Sequence, residues 1–143
     1  MKTVKIYTDG ACRGNPGLGG WGVLMVYETK EKKLYGGQKD TTNNQMELKA
    51  AIEGLKALSE PCFIELTTDS KYVMQGITQW IDNWQKNNWK TANKKDVKNK
   101  DLWIELYNEK SKHKIDWNWV KGHSGHRENE IADELANKGI DNL

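Results

Sequence analysis

Hydrophobic and polar residues alternate at the start of the chain. Val4 and Ile6 are separated by polar residues, and this period of two predicts a β-strand. Apolar side chains occur on both faces of that strand, which is typical of a central position in a sheet. The loop GACRGNPGLGG is expected to bend sharply before an apolar run at 21–27 begins a second strand. A polar stretch at 28–32 predicts a hairpin turn, and a third strand is expected at about 33–39.

Apolar residues recur at helical spacing from residue 42 onward. Thr42 followed by Gln45 matches a capping box, and the periodic leucines and isoleucines continue to about residue 58. This helix start would place Glu47 in the first turn. A buried strand is then expected at 63–67, and Asp69 stands just past its C-terminal end. Ligands of open α/β sheets collect at such ends.

The order of the elements predicts the fold class. Two short helices, an amphipathic helix, a last strand at about 115–120 and a final helix follow the buried strand. This order predicts a mixed α/β (α+β) fold, a five-stranded sheet with three antiparallel strands, a parallel part, and helices on both faces. In that arrangement Asp9, Glu47 and Asp69 would meet at one edge of the central strands.

Length and composition favour one globular domain. The chain has 143 residues, of which 36% are hydrophobic and 29% are charged, so a single domain spanning 1–143 is expected. No segment suits a signal peptide or a membrane span, which favours a cytoplasmic protein. No apolar stripe is left for a partner, so a monomer is expected. Cys12 and Cys62 lack zinc-type spacing and are expected to be free thiols.

Basic and aromatic residues are concentrated in the Trp/Lys segment, which we define as residues 80–100. Six lysines and a single acid, Asp96, lie between residues 86 and 100, although the net charge of the whole chain is only +2. Such a block is often a solvated helix face. Trp80, Trp84 and Trp89 add flat stacking surfaces, and the combination favours a nucleic-acid groove. The other tryptophans, by their spacing, are expected in the core: Trp21, Trp103, Trp117 and Trp119.

Four acids stand in four differently built contexts, each at the edge of an apolar segment: Asp9, Glu47, Asp69 and Asp133. Any one of them alone is more typical of a helix cap or a surface charge. Buried carboxylates repel one another unless a cation joins them, so four converging acids predict a divalent metal site. Carboxylate oxygens are ligands that suit a hard divalent cation such as Mg²⁺.

Five motifs together resemble one family over nearly the whole chain: TDGACRGNPG, TTNNQMELKAAI, TTDSKYVMQGI, the Trp/Lys segment and WVKGHSGHRENEIADELA. In order and spacing they resemble bacterial type 1 ribonuclease H. The resemblance implies a five-stranded mixed sheet and an endonuclease that hydrolyses the RNA strand of RNA/DNA hybrids, largely without regard to sequence. It also implies two Mg²⁺ ions, with Mn²⁺ as a substitute, and products with 5′-phosphate and 3′-hydroxyl ends.

The resemblance assigns roles to individual residues. The catalytic and metal-binding carboxylates fall on Asp9, Glu47, Asp69 and Asp133, and a mobile catalytic histidine falls on His123. Contacts to the hybrid's minor groove map to Cys12, Asn15, Asn43 and Asn44. Contacts near a DNA phosphate map to Thr42 and Asn99. In the Trp/Lys segment, the substrate contacts expected are Trp80, Trp84, Lys86 and Trp89.

Finer roles remain hypotheses at this stage. Asp9 would bridge two metal ions, Asp133 would complete the water-side site, and Glu47 with Asp69 would hold the ion at the leaving oxygen. His123 would move a proton or assist product release. Two other classes stay open, a DNA-cutting nuclease of the same superfold and a nucleic-acid-binding module without turnover. The chain also lacks the longer C-terminal tail and the separate hybrid-binding domain that some relatives carry, so the Trp/Lys segment is expected to supply much of the affinity.

Overall fold

The computed structural model describes residues 1–122 and 125–143, which form one sheet between two helical layers. The strands are β1 Lys2–Arg13, β2 Gly17–Tyr27, β3 Lys30–Thr41, β4 Cys62–Thr68 and β5 Lys114–Trp119. The helices are α1 Asn43–Lys56, α2 Lys71–Gln75, α3 Ile81–Lys86, α4 Lys100–Lys110 and α5 Arg127–Asp141. A π-helical turn, Gly76–Trp80, joins α2 to α3.

The sheet has the order β3-β2-β1-β4-β5. The first three strands are antiparallel, whereas β4 pairs in parallel with β1 and β5 pairs in parallel with β4. The fold class expected from the sequence is therefore confirmed, including the central position of β1. Helix α1 packs on one face of the sheet, and α5 packs on β1, β2 and β3 from the other.

The sharp bend expected after β1 is present at residues 14–16, where Gly14 has a positive φ of 78°. The glycine-rich loop is shorter than expected, because most of its residues belong to the strands. β1 continues to Arg13 and β2 already begins at Gly17. Two glycines of β2 serve close packing. A Cβ at Gly20 or Gly22 would overlap the backbone of α5, so their absence of a side chain lets the helix lie directly on the sheet.

Helix α1 begins as the capping pattern predicts. Thr42 is its N-cap, and the Thr42 hydroxyl accepts a hydrogen bond from the Gln45 N–H at 3.2 Å. The Gln45 side chain does not complete the reciprocal box, because it bonds Thr41 and Asn99. Glu47 is the fifth residue of α1, so its expected place in the first turn was wrong. It lies one turn further in, on the buried side of the helix.

The core lies between the sheet, α1 and α4. Trp103 of α4 is fully buried there, as expected for a core tryptophan, and Gly76 leaves room for its ring. Trp119 was expected in the core but is 41% exposed, because β5 is an edge strand with little packed over its end. Among the described residues, no helix is long and apolar enough to cross a membrane.

Candidate active site

The register of the two central parallel strands brings two of the four acids together. Thr8 of β1 pairs with Thr68 of β4, so the next residue on each strand, Asp9 or Asp69, lies at the same level. β4 ends at Thr68, whereas β1 continues along β2 to Arg13. Asp69 therefore lies beside the middle of β1, and Asp9 is 8% exposed there.

Glu47 reaches the same point from α1. A Cβ at Gly10 would overlap the backbone of Met46 and Glu47, so this glycine allows α1 to approach β1 without an intervening side chain. Glu47 is only 5% exposed. One carboxylate oxygen from each of Asp9, Glu47 and Asp69 lies within 4.8 Å of the others, which is close enough to share a cation.

Asp133 approaches from the opposite face of the sheet, on α5. It lies within hydrogen-bonding reach of Asp9, and it is half-buried, so it sits at the side of the tight triad. Asn137, one turn later, donates to the Asp133 carbonyl at 3.0 Å. A narrow cleft of about 20 Å³ separates these groups, which is room for one water-sized occupant. It is lined by Asp9, Asp69, Gly122, His126, Asn129, Glu130 and Asp133.

The electrostatics of the triad fit a divalent cation. Burial, together with the carboxylates of Asp69 and Asp133, raises the pKa of Asp9 to about 9. Burial, together with Asp9 and Asp69, raises the pKa of Glu47 well above its usual range. Glu47 Oε1 and Asp69 Oδ1 are buried without a hydrogen-bond partner among residues 1–122 and 125–143. A cation with oxygen-ligand preference would satisfy these atoms and remove the repulsion, so the residues present fit such an ion.

The predicted catalytic histidine, His123, lies outside the described residues, so its role stays a prediction. The residue before it, Gly122, is described and contacts the site. A Cβ at Gly122 would lie 2.8 Å from Asp69 Oδ2, so the backbone entering this loop passes directly over the Asp69 carboxylate.

The residues proposed for the minor groove form one patch beside the acids. The Cys12 thiol donates to the Gly14 and Thr41 carbonyls. Asn15 Oδ1 accepts a hydrogen bond from the Asn43 N–H at 3.0 Å, which ties the β1–β2 turn to the start of α1. Asn43 is exposed, and Thr42 and Asn44 are half-exposed. The structural interpretation of Asn15 as a turn residue and the contact interpretation are therefore compatible.

Asn99 belongs to a chain of polar contacts. Its Oδ1 accepts from Gln45 Nε2 at 3.1 Å, and its Nδ2 donates to the Tyr72 hydroxyl at 3.0 Å. The same hydroxyl accepts from Trp103 Nε1 at 3.0 Å. Asn99 also lines an open groove of about 450 Å³ that Lys49 and residues of β3, α1 and α4 enclose. The start of α1 and the start of α4 are thus joined through side chains beside a groove whose lining includes two lysines and two aspartates.

The tryptophans of the Trp/Lys segment differ in exposure. Trp80 is 38% exposed, whereas Trp84 and Trp89 are half-buried. Trp80 and Trp84 pack on each other with ring centroids 5.8 Å apart. The Trp84 ring also contacts buried Trp103, with centroids 5.3 Å apart. Trp80 is therefore the ring that is free to meet a base or sugar, and Trp84 supports it.

The lysines of the same segment are mainly free to meet phosphate. Lys90 and Lys100 form ion pairs with Asp96. Lys86, the substrate contact expected from the sequence, is exposed and has no ion pair among residues 1–122 and 125–143. The local positive charge therefore faces solvent.

Three residues of the site were missed by the sequence interpretation. Gln45 and Tyr72 connect Asn99 to its surroundings, and no local pattern indicates such long-range hydrogen bonds. Asn129 lines the cleft between Asp9, Asp69 and Asp133, and its Oδ1 is buried without a partner in the part of the chain that the structure describes. A signal for Asn129 did exist, because it precedes Asp133 by four positions on a helix and must share its face.

Comparison with known proteins gives a consistent result. The sequence profile of the RNase H family matches residues 1–141. The ribonuclease H of Alcanivorax borkumensis is 64% identical over 143 residues, which cover 100% of this chain and 95% of that protein. The ribonuclease H of Hydrogenovibrio crunogenus is 63% identical over 143 residues, covering 100% and 99% of the two chains.

A solved structure extends the likeness to three dimensions. LC9-RNase H1, described as a type 1 RNase H with the type 2 active-site motif, superimposes with a TM-score of 0.90 and 32% identity. The match covers 99% of this chain and 73% of that one. The profile match, the two relatives and the shared architecture together show that the chain belongs to the RNase H family.

Proposed function

We propose that this protein is an endonuclease that hydrolyses the RNA strand of RNA/DNA hybrids with the help of divalent cations. The observation that carries the proposal is the convergence of Asp9, Glu47 and Asp69 within 4.8 Å, with Asp133 at hydrogen-bonding reach of Asp9. Membership of the RNase H family gives that cluster its reaction class.

The four carboxylates would hold two cations, Mg²⁺ by preference and Mn²⁺ as a substitute. Asp9 would be shared between them, Asp133 would complete the water-side site, and Glu47 with Asp69 would complete the other. When bound, such ions supply an activated water and stabilise charge on the leaving oxygen. Unpartnered Glu47 Oε1 and Asp69 Oδ1 support this assignment, because both are oxygen ligands left buried and unsatisfied.

The chain's own residues set the conditions for the reaction. Asp9 and Glu47 hold protons tightly in the cation-free site, since their pKa values are raised, and they release them when a cation arrives. The reaction forms a bond from water oxygen to phosphorus and breaks the bond from phosphorus to the 3′ oxygen. It leaves a 5′-phosphate and a 3′-hydroxyl. His123 is proposed to move a proton at this stage or to assist product release.

Recognition of a hybrid requires contacts to two different strands. Asn15, Asn43 and Asn44, with Cys12 nearby, are proposed to bond the 2′-hydroxyl groups and base edges of the minor groove, since a 2′-hydroxyl both donates and accepts. On the other side, Thr42 and Asn99 are proposed to hold a DNA phosphate. The DNA strand would continue along the Trp/Lys segment, whose proposed contacts are Trp80, Trp84, Lys86 and Trp89.

A gel assay with a uniformly labelled hybrid tests the proposal. Cleavage is expected with Mg²⁺, none is expected with EDTA, and the RNA fragments should carry 5′-phosphate and 3′-hydroxyl ends. Asp69→Asn should abolish cleavage, whereas Asp116→Asn, a change to an exposed acid of β5, should not. A 2′,3′-cyclic phosphate end would contradict the mechanism.

Matched duplexes separate the remaining classes. The same assay with DNA/DNA and RNA/RNA duplexes should give no comparable cleavage. Equal cutting of DNA/DNA would favour a DNA nuclease of the same superfold. Hybrid binding without Mg²⁺-dependent turnover would favour a binding module.

A further inference from the structure

The end of β5 holds the main chain on both sides of Asp69. Trp119 pairs with Thr68, the last residue of β4, and the Val120 N–H then donates to the Thr68 carbonyl at 3.0 Å. Beyond that point the indole Nε1–H of Trp119 donates to the Asp69 carbonyl at 2.9 Å. The two carbonyls that flank the Asp69 Cα are therefore both held from residues 119 and 120.

This restraint matters because Asp69 lies between elements. β4 ends before it, and its neighbour Ser70 is the N-cap of α2. Neither a strand ladder nor a helix fixes the orientation of the Asp69 Cα–Cβ bond. The Trp119 indole supplies a hydrogen bond of the kind a longer strand would have supplied, and Gly122 of the same segment lies close enough to the carboxylate that an added Cβ would be 2.8 Å from Asp69 Oδ2.

Packing in the core does not explain why a tryptophan is present at position 119. Trp119 is 41% exposed, and Lys71 Nζ lies over the ring 5.4 Å from its centroid, so the ring faces water and charge. Trp117, two residues earlier on β5, packs against the core and has no comparable bond from its indole among the described residues. The two tryptophans thus provide a matched pair for experiment.

We propose that Trp119 is a positioning residue for Asp69, acting through the indole N–H to fix the carboxylate in its place in the cation site. The inference rests on the proposed function, in which Asp69 is a cation ligand. Because one hydrogen bond is lost, Trp119→Phe is expected to raise the cation concentration for half-maximal cleavage by about fivefold. The KM for the hybrid should not change.

A measurement without catalysis gives the second readout. Mg²⁺ or Mn²⁺ should raise the Tm of the wild-type protein, and the titration midpoint should move to higher concentration in Trp119→Phe. Trp117→Phe removes the same atoms from the same strand and should leave the midpoint where it is, whatever it does to the Tm without cation. An unchanged midpoint in Trp119→Phe would overturn the role of Trp119. Absence of any cation effect in the wild type would overturn the proposed metal site itself.

The wild-type protein offers a test that needs no variant to fold. The Trp119 indole N–H is on an exposed ring, so without its hydrogen bond it would exchange with solvent as fast as a free indole. In an NMR experiment, the hydrogen of the Trp119 indole N–H is expected to exchange with solvent more slowly than that of a free indole. Exchange at the free rate would overturn the inference.

Discussion

The α-carbon of Gly10 lies against the backbone of Glu47, so that β1 and α1 meet without a side chain between them. Gly10→Ala would force the start of α1 away from the strand. We expect a loss of stability of about 1 to 3 kcal/mol and a fall in cleavage of about a hundredfold, because displacing Glu47 separates it from Asp9 and Asp69. Chemical denaturation and the hybrid assay measure the two effects.

Gly54→Ala is the matched control on the same helix. A Cβ at Gly54 meets only side-chain methyl groups of Ile6 and Val23, at 3.2 and 3.3 Å, and these can move slightly. Cleavage by Gly54→Ala should stay near the wild-type rate. If Gly10→Ala also cleaved at the wild-type rate, the close approach of β1 and α1 would not be required to hold Glu47 beside Asp9 and Asp69.

Asp9→Asn should stabilise the protein in the absence of divalent cations while abolishing cleavage. The folded-state pKa of Asp9, about 9, lies above the ordinary value of 3.8. The stability associated with this group is therefore fully present below about pH 4 and is lost as the pH rises towards 9. Asparagine carries no charge, so the variant should be the more stable one at pH 8, by about 1 to 3 kcal/mol.

Thermal unfolding in EDTA at several pH values checks this expectation. The Tm of the wild type should fall with rising pH more steeply than that of Asp9→Asn. Addition of Mg²⁺ should narrow the gap, since it stabilises only the wild type. A variant less stable than the wild type at pH 8 in EDTA would contradict a repulsive, cation-free cluster.

Trp80 and Trp84 should respond differently to replacement by alanine. Trp80 is exposed, so its loss should weaken hybrid binding by about tenfold with little change in Tm. Trp84 packs on buried Trp103, so its loss should cost about 2 kcal/mol of unfolding free energy. Fluorescence anisotropy with a labelled hybrid and chemical denaturation measure these two quantities. An equal loss of affinity and stability in both variants would mean that the two rings act as one unit.

Asn129 offers an acceptor that no group of the described part of the chain uses. Its Oδ1 is buried in the cleft beside Asp133, so a donor that arrives with substrate or solvent can satisfy it. Asn129→Ala should lower kcat by about tenfold and leave the Tm the same or higher, because within residues 1–122 and 125–143 its Oδ1 accepts no hydrogen bond that could be lost. Asn129→Asp keeps an oxygen at the same place and should retain more activity than alanine. A lower Tm with unchanged kcat would show that Asn129 is only structural.

The sequence was sufficient for the architecture because the relevant signals are local. Alternation predicted β1, and the Thr42 cap predicted the start of α1. The order of the elements predicted a sheet with an antiparallel part and a parallel part. Because of the glycines at 17–22, the start of β2 was predicted at residue 21, whereas the strand begins at Gly17. A glycine needed for bending and a glycine needed for close packing look alike in sequence, and only the position of α5 distinguishes them.

The acidic residues of the candidate site could be predicted from the sequence. The contacts that hold those residues in position could not. Asp9 and Asp69 could be named because each follows an apolar strand segment. Their exact alignment depends on the pairing of Thr8 with Thr68, which is a long-range register. The exposed position of Trp119 was not foreseen either, since alternation alone cannot tell an edge strand from a central one.

The early end of β4 creates a gap in the plane of the sheet. A continuous sheet would separate the side chains of α1 on one face from those of α5 on the other. Where β4 stops at Thr68 and β1 runs on, the sheet has an opening beside β1. Glu47 enters it from one layer, Asp133 from the other, and Asp69 stands in the opening itself. The chain thus assembles one reaction centre from both sides of its sheet by ending a single strand early.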